Sequence, residues 1–192
     1  MNNFNHVMLD LETMGNTSNS VIVSIGAVPF DIDSGIVYEE NIFYEKIDID
    51  SCLNVGLEVN GSTIYWWLKQ NKKAQKELLK NKITLNDALK KFYSWFLNLK
   101  EEFKTLDGPF IWGNGATFDI TILSNAYDKI KLPEPWHYRN ERDLRTLVAF
   151  EPTIREKVIV NNLGYVEHNP IDDCKLQIKY CSEIWNYLKK NK

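Results

Sequence analysis

Val7-Met8-Leu9-Asp10-Leu11-Glu12 is the stretch on which the reading of this chain turns. Val7, Leu9 and Leu11 alternate with Met8, Asp10 and Glu12, the period-two pattern of a β-strand. Side chains alternate between the two faces of a strand, so Asp10 and Glu12 leave the same face, about 6.5 Å apart along it. Two acids on an otherwise apolar strand repel each other and resist burial unless a cation lies between them. Taken alone, the pair is more simply read as the wet face of a one-sided sheet.

Working outward, Val21-Ile22-Val23-Ser24-Ile25-Gly26-Ala27-Val28 is a second β-branched run, and the Asp33-Ser34-Gly35 turn signal leads into a third strand predicted from Ile36 to Lys46. Three strands joined by short loops predict an antiparallel meander opening a mixed sheet. Helical spacing follows: Ile64, Trp67 and Leu68 after the candidate cap Ser62, then Leu85, Ala88, Leu89, Phe92, Trp95, Phe96 and Leu99 after Thr84. Pro109-Phe110-Ile111-Trp112 reads as a fourth strand ending in Gly113-Asn114-Gly115, and Phe118 to Ile130 as the helix leaving that turn. This is a β-to-α crossover, so the fold class is α/β. Beyond the break at Leu132-Pro133-Glu134-Pro135-Trp136, a helix is expected from Asp143 to Phe150. Asn169-Pro170 then opens a terminal helix carrying Ile171, Leu176, Ile178, Cys181, Ile184, Trp185 and Leu188.

The length of 192 residues suits a single domain over 1–192, and 44% hydrophobic with 26% charged residues excludes a disordered or low-complexity chain. Apolar runs fall far short of the roughly 18 residues needed to cross a bilayer, and Met1 to His6 has neither basic residues nor an apolar segment. A cytoplasmic protein with no membrane partner is expected. The three cysteines, Cys52, Cys174 and Cys181, are odd in number; the last two lie about 10 Å apart along a predicted helix, beyond disulfide reach. Buried or idle thiols are the expectation. Lys and Arg number 23 against 26 acids, and the net charge of −3 argues against coating nucleic acid by bulk electrostatics.

Asp119 stands in the first turn of a helix that follows a strand and a Gly-Asn-Gly turn, the sheet-end position where ligand sites of α/β proteins collect. Asp173 falls in the first turn of the last helix, with His168 five residues before it. Asn169 and Asp172 fit a capping pair, which leaves Asp173 unexplained by capping. His6 and His137 show no partner in sequence.

These three segments, Leu9-Asp10-Leu11-Glu12-Thr13, Asn114-Gly115-Ala116-Thr117-Phe118-Asp119 and His168-Asn169-Pro170-Ile171-Asp172-Asp173, resemble the exonuclease motifs of the DEDDh group, the DnaQ-like 3′–5′ exonucleases of the ribonuclease H-like fold. The resemblance spans residues 7 to 188. The sister tyrosine subgroup would place Tyr four residues before the final aspartate, where this chain has Asn169. Trp66-Trp67-Leu68-Lys69-Gln70, Trp112 to Asp119 and Arg142-Asp143-Leu144-Arg145-Thr146-Leu147 are similar to a narrower branch. That branch holds phage-encoded exonucleases such as exonuclease A, exonuclease VIII-like proteins and short bacterial 3′–5′ exoribonucleases.

The resemblance implies a ribonuclease H-like mixed sheet of three antiparallel strands and then parallel ones, flanked by helices. It implies 3′–5′ removal of nucleoside 5′-monophosphates from single-stranded or 3′-overhanging DNA or RNA. Asp10, Glu12, Asp119 and Asp173 would hold two ions, and His168 would take the proton of the attacking water. All-oxygen ligands select Mg²⁺ or Mn²⁺ over Zn²⁺. A neutral His168, with a reference pKa near ~6.5, predicts activity rising from acid toward neutral or alkaline pH. Thr13 and Met14 would line the terminal nucleotide, with Asn114 as a further contact; because single strands are held by stacking on aromatic rings, Trp66 is a candidate substrate contact as well, while spacing places Trp67 and Phe118 in the core. Lys69, Lys72, Lys73 and Lys76 with Arg139, Arg142 and Arg145 are candidate phosphate contacts, though the lysines read more simply as a solvated helix face. The family also suggests a homodimer. Competing readings are a non-catalytic nucleic-acid-binding or scaffold domain and a ribonuclease H-like endonuclease.

Overall fold

The computed structural model describes residues 4–70, 72, 75, 78, 82–104, 108–161 and 169–191. Strand β1 (His6–Thr13) pairs antiparallel with β2 (Ile22–Phe30), which pairs antiparallel with β3 (Phe43–Ile47). Beyond β3 lies the two-residue β4 (Lys82–Ile83), parallel to it. On the other side of β1 come β5 (Phe110–Gly113) and β6 (Glu141–Asp143), both parallel, giving the order β4-β3-β2-β1-β5-β6. The expected mixed sheet is present, with β1 in its interior.

Helices cover both faces. On one side lie α1 (Ile49–Asn54), α2 (Gly61–Lys69), α3 (Leu85–Glu102) and α4 (Asp119–Ile130), whose apolar residues bury Val7, Leu9 and Leu11 of β1. On the other lie α5 (Leu144–Phe150), α6 (Pro152–Asn161) and α7 (Pro170–Lys190), packed over Met8, Val28 and Phe30. The period-two pattern of β1 is therefore divided between two cores. Asp10 and Glu12 continue the row begun by Met8, at the end where α7 starts.

Several expectations change. The third strand is shorter than Ile36 to Lys46: Val37 makes a single bridge to Phe30, Glu39–Asn41 form a 3-10 turn, and pairing resumes at Phe43. The cap of α2 is Asn60 rather than Ser62, its side chain accepting from the Ser62 N–H at 2.8 Å. Asp143 is the N-cap of α5, not its first residue. Sequence periodicity missed α6, because its apolar residues do not share a face: Val158 is buried while Val160 is 74% exposed. Thr84 and Asn169 cap α3 and α7 as expected. All three cysteines are buried and unbridged, and among the described residues no helix is long and apolar enough to cross a membrane.

Candidate active site

Each acid is delivered by a different local device. Strand β5 follows β1 only as far as Gly113, which pairs with Leu9. Past that point the Leu11 N–H turns to a side chain, donating to Asp119 Oδ1 at 3.2 Å. Asp119 arrives there because the chain turns sharply after β5, Phe118 N–H donating to the Gly115 carbonyl at 2.8 Å, with Gly115 at a φ of +102° that disfavours a side chain. Asp143 pins this turn: its carboxylate accepts from Ala116 N–H at 2.6 Å and from Thr146 N–H at 2.7 Å.

Asp173 comes from the first turn of α7. Asn169 Oδ1 accepts from the N–H groups of Ile171 and Asp172, and Pro170 takes the position where a missing N–H costs nothing. The helix reaches the sheet because Gly26, which pairs with Asp10, has no side chain: a β-carbon there would lie 2.6 Å from Cβ of Pro170. Asp10, Glu12 and Asp173 consequently each offer an oxygen within 4.8 Å of the others. Asp119, 4% exposed, stands beside them through its bond to Leu11. One turn along α7, Gln177 Nε2 donates to Asp10 Oδ1 at 2.9 Å.

Four carboxylates at this density cannot all ionise unaided. Burial pushes Asp10 up to about 7, although the Gln177 amide favours its charged form. Burial and then the charges of Asp10, Asp173 and Asp119 push Glu12 up to about 9. Asp119 is raised well above the ordinary range by burial and by Asp10. An all-oxygen cluster short of positive charge is the donor set of a hard divalent cation. Asp10, Glu12 and Asp173 could hold one, with Asp119 adjoining.

Beside Glu12 opens a cavity of about 480 Å³, bordered by Thr13, Asn16, Thr63, Trp66 and Phe118. Trp67 anchors α2 above it, its indole N–H donating to the Thr13 carbonyl at 2.9 Å, and is buried as its spacing suggested. Phe118 is half-buried and borders the cavity as well as packing on the core. Met14 does not line it: the side chain joins the hydrophobic core while its N–H donates to the Val21 carbonyl. Asn114 lies in the turn before Asp119, outside the cavity lining.

His168 lies outside the described residues, as do Lys73 and Lys76. Lys69 and Lys72 are exposed. Arg142 is committed elsewhere, Nη1 donating to the carbonyls of Arg139 and Glu141 at 2.8 Å while the guanidinium covers the Phe110 ring. Arg139 Nε donates to the Tyr138 hydroxyl. His6 does have a partner, accepting at Nδ1 from the Trp112 indole N–H at 2.9 Å, and His137 Nδ1 accepts from the Arg139 N–H. Sequence reasoning missed Gly26 and Gln177, and saw Asp143 only as an acid at a helix start; of the two missed, Gln177, four residues after Asp173 and so on the same helix face, left a readable signal.

Residues 5–185 match the family described as the 3'-5' exoribonuclease Rv2179c-like domain. The chain belongs to the Rv2179c-like family. It is a 3′–5′ exonuclease. No curated protein sequence matches the chain. Among solved structures, S. pombe Pop2p in its Mg²⁺- and Mn²⁺-bound form is similar at 14% identity and a TM-score of 0.62, over 98% of this chain and 86% of that one. The nuclease domain of 3'hExo, a DEDDh family member bound to rAMP, is similar at 15% identity and a TM-score of 0.60, over 94% and 91%. The zinc-bound E. coli ExoI–ssDNA complex matches at 16% identity and a TM-score of 0.60, over 97% of this chain but 40% of that one. At such identities the likeness is one of fold: this exonuclease has the ribonuclease H-like architecture of those enzymes.

Proposed function

We propose that this exonuclease releases nucleoside 5′-monophosphates one at a time from the 3′ end of single-stranded or 3′-overhanging nucleic acid, DNA or RNA. It does so with two divalent ions, Mg²⁺ or Mn²⁺, held by Asp10, Glu12, Asp119 and Asp173. The observation that carries this reading is the meeting of Asp10, Glu12 and Asp173 within 4.8 Å, with Asp119 alongside and an open cavity beginning at Glu12. Bound there, such ions supply an activated water and offset the charge gathering on the phosphorus centre.

The chain's own residues divide the remaining work. Glu12 borders both the acid cluster and the cavity, so a terminal nucleoside in the cavity has its 5′-phosphate at the acids. Trp66, 41% exposed, and Phe118 offer ring faces to a base, a sequence-tolerant mode of holding single strands. Thr13 and Asn16 present polar groups to the sugar, and Asn114, on the turn before Asp119, meets the strand as it leaves. His168 takes the proton of the attacking water while the 3′-oxygen of the penultimate nucleotide departs. S. pombe Pop2p with Mg²⁺ and Mn²⁺, 3'hExo with rAMP and ExoI with single-stranded DNA each agree with one element of this reading. The narrower kinship with phage-encoded exonucleases rests on the Trp66-Trp67 and Arg142 to Leu147 segments.

The test is hydrolysis of single-stranded DNA and RNA oligonucleotides, labelled at each end in turn, with Mg²⁺ or Mn²⁺. Loss of 3′-label as mononucleotide, with a 5′-labelled ladder shortening stepwise, is expected. Internal fragments would replace the reading by an endonuclease, and intact strands would end it.

A further inference from the structure

The motif Arg142-Asp143-Leu144-Arg145-Thr146-Leu147 is only half accounted for by the site above. Asp143 holds the turn that delivers Asp119, and Arg142 is bonded to carbonyls, which leaves Arg145. Its side chain is exposed and crosses back over that turn. A β-carbon built on Gly115 would lie 3.1 Å from Cζ, 3.2 Å from Nε and 3.3 Å from Nη1 of Arg145. Three guanidinium atoms at nearly equal distance mean that the planar group lies face-on to Gly115. Its N–H donors, which radiate in the plane, are directed along the surface rather than into it. The positive charge reaches Asp119 and Asp143, favouring the ionised form of both.

The turn under Arg145 ends at Phe118, which borders the cavity, and at Asp119, which adjoins the other acids. We propose that a strand whose last nucleoside fills the cavity and whose scissile phosphate sits at the acids continues over this turn, and that Arg145 grips the phosphodiester backbone immediately 5′ of the scissile bond, so that the site recognises a polynucleotide rather than a lone nucleotide ester. This rests on the exonuclease reading above. Guanidinium and phosphate match in a two-pronged, charge-assisted pair, and a glycine beneath lets the planar group lie flat.

The experiment compares thymidine 5′-(p-nitrophenyl phosphate), which carries no upstream phosphodiester, with single-stranded 12-mers of dT and U, in Mn²⁺ over a series of NaCl concentrations. Arg145→Ala is expected to raise the ratio of 12-mer KM to ester KM about tenfold. The salt dependence of kcat/KM for the 12-mer should fall by about 0.7 in log–log slope, the loss of one single-strand phosphate contact. Arg145→Lys should keep the slope and recover part of the KM. An unchanged ratio and slope in Arg145→Ala overturns the inference. So does an equal fall of kcat on both substrates, which would make Arg145 a support for the Asp119 turn. A wild-type protein inert on both substrates sinks the exonuclease reading and this inference with it, whereas an active wild type with an indistinguishable variant sinks the inference alone.

Discussion

Pro170 stands on Gly26, so close that a β-carbon on the glycine would lie 2.6 Å from the proline Cβ and 3.0 Å from its carbonyl carbon. Gly26 is paired with Asp10, so the contact that seats the first turn of α7 is also the one that brings Asp173 to Asp10. Neither a proline ring nor a strand backbone yields easily. Gly26→Ala should therefore cost about 1–3 kcal/mol of stability, as overpacked interiors do, and should weaken Mn²⁺ binding by lifting Asp173 away. Denaturant titration in EDTA and calorimetry with Mn²⁺ read the two effects; wild-type values in both would show that α7 is seated by other contacts.

The acids should trade stability for function. Asp10→Asn keeps an acceptor for Gln177 and removes one member of a repelling cluster. In EDTA the variant should be at least as stable as the parent, yet bind Mn²⁺ poorly and lose turnover by about a thousandfold or more, the scale expected when the charge stabilising a transition state is removed. Asp10→Ala should likewise abolish turnover without unfolding. A variant with parental activity would remove Asp10 from the chemistry.

Without metal, the same groups set a pH dependence. Asp10 is pushed up to about 7 and Glu12 up to about 9, while unfolded carboxyls titrate near ~4. Between those values the folded protein binds more protons than the unfolded chain, so metal-free stability falls as pH rises from about 4 to about 9. A divalent cation needs the ionised carboxylates, and its stabilisation grows over the same range. Melting curves in EDTA and in Mn²⁺ should diverge with rising pH. Parallel curves would mean that the acids ionise freely without a cation.

Trp66 tests the cavity. Trp66→Ala removes a stacking face worth about 1–3 kcal/mol per base, so the oligonucleotide KM should rise about tenfold or more while Mn²⁺ affinity stays at the parental value. An unaltered KM would place the base elsewhere.

What could be read in advance follows the range of the interaction. Asp10 and Glu12 were legible because strand alternation is local, and Asp119 and Asp173 because each opens a helix marked by a turn or cap. Gly26 was not, since its role is to leave room for a proline 144 positions away in sequence. Strand β6 is three residues long and α6 buries only Val158, so neither carries a periodicity to detect. Met14 follows the D-x-E strand as a substrate contact would, but the chain turns at Thr13 to Gly15 and sends it into the core. Asp143 showed as an acid at the start of a helix; that its carboxylate caps α5 and also holds the Ala116 N–H depends on β5 and β6 lying side by side.

His6 gives a last prediction, away from the site. It accepts the Trp112 indole N–H at Nδ1 and packs among the rings of Phe30, Phe110 and Trp112. Burial, and then the charge of Arg142, lower its pKa to about 4. The unfolded chain takes up a proton near ~6.5 that the folded protein refuses, so this contribution is complete above about 6.5 and is lost progressively as pH falls toward 4, by about 3 kcal/mol in total. The active-site carboxyls act in the opposite sense over that interval, so the comparison must be a difference between proteins. His6→Gln keeps an acceptor for Trp112 and does not titrate. The stability advantage of the parent over His6→Gln, measured by denaturant in EDTA, should be greatest at neutral pH and shrink steadily from about 6.5 to 4. A gap that stays constant across that range would mean that His6 is not held neutral.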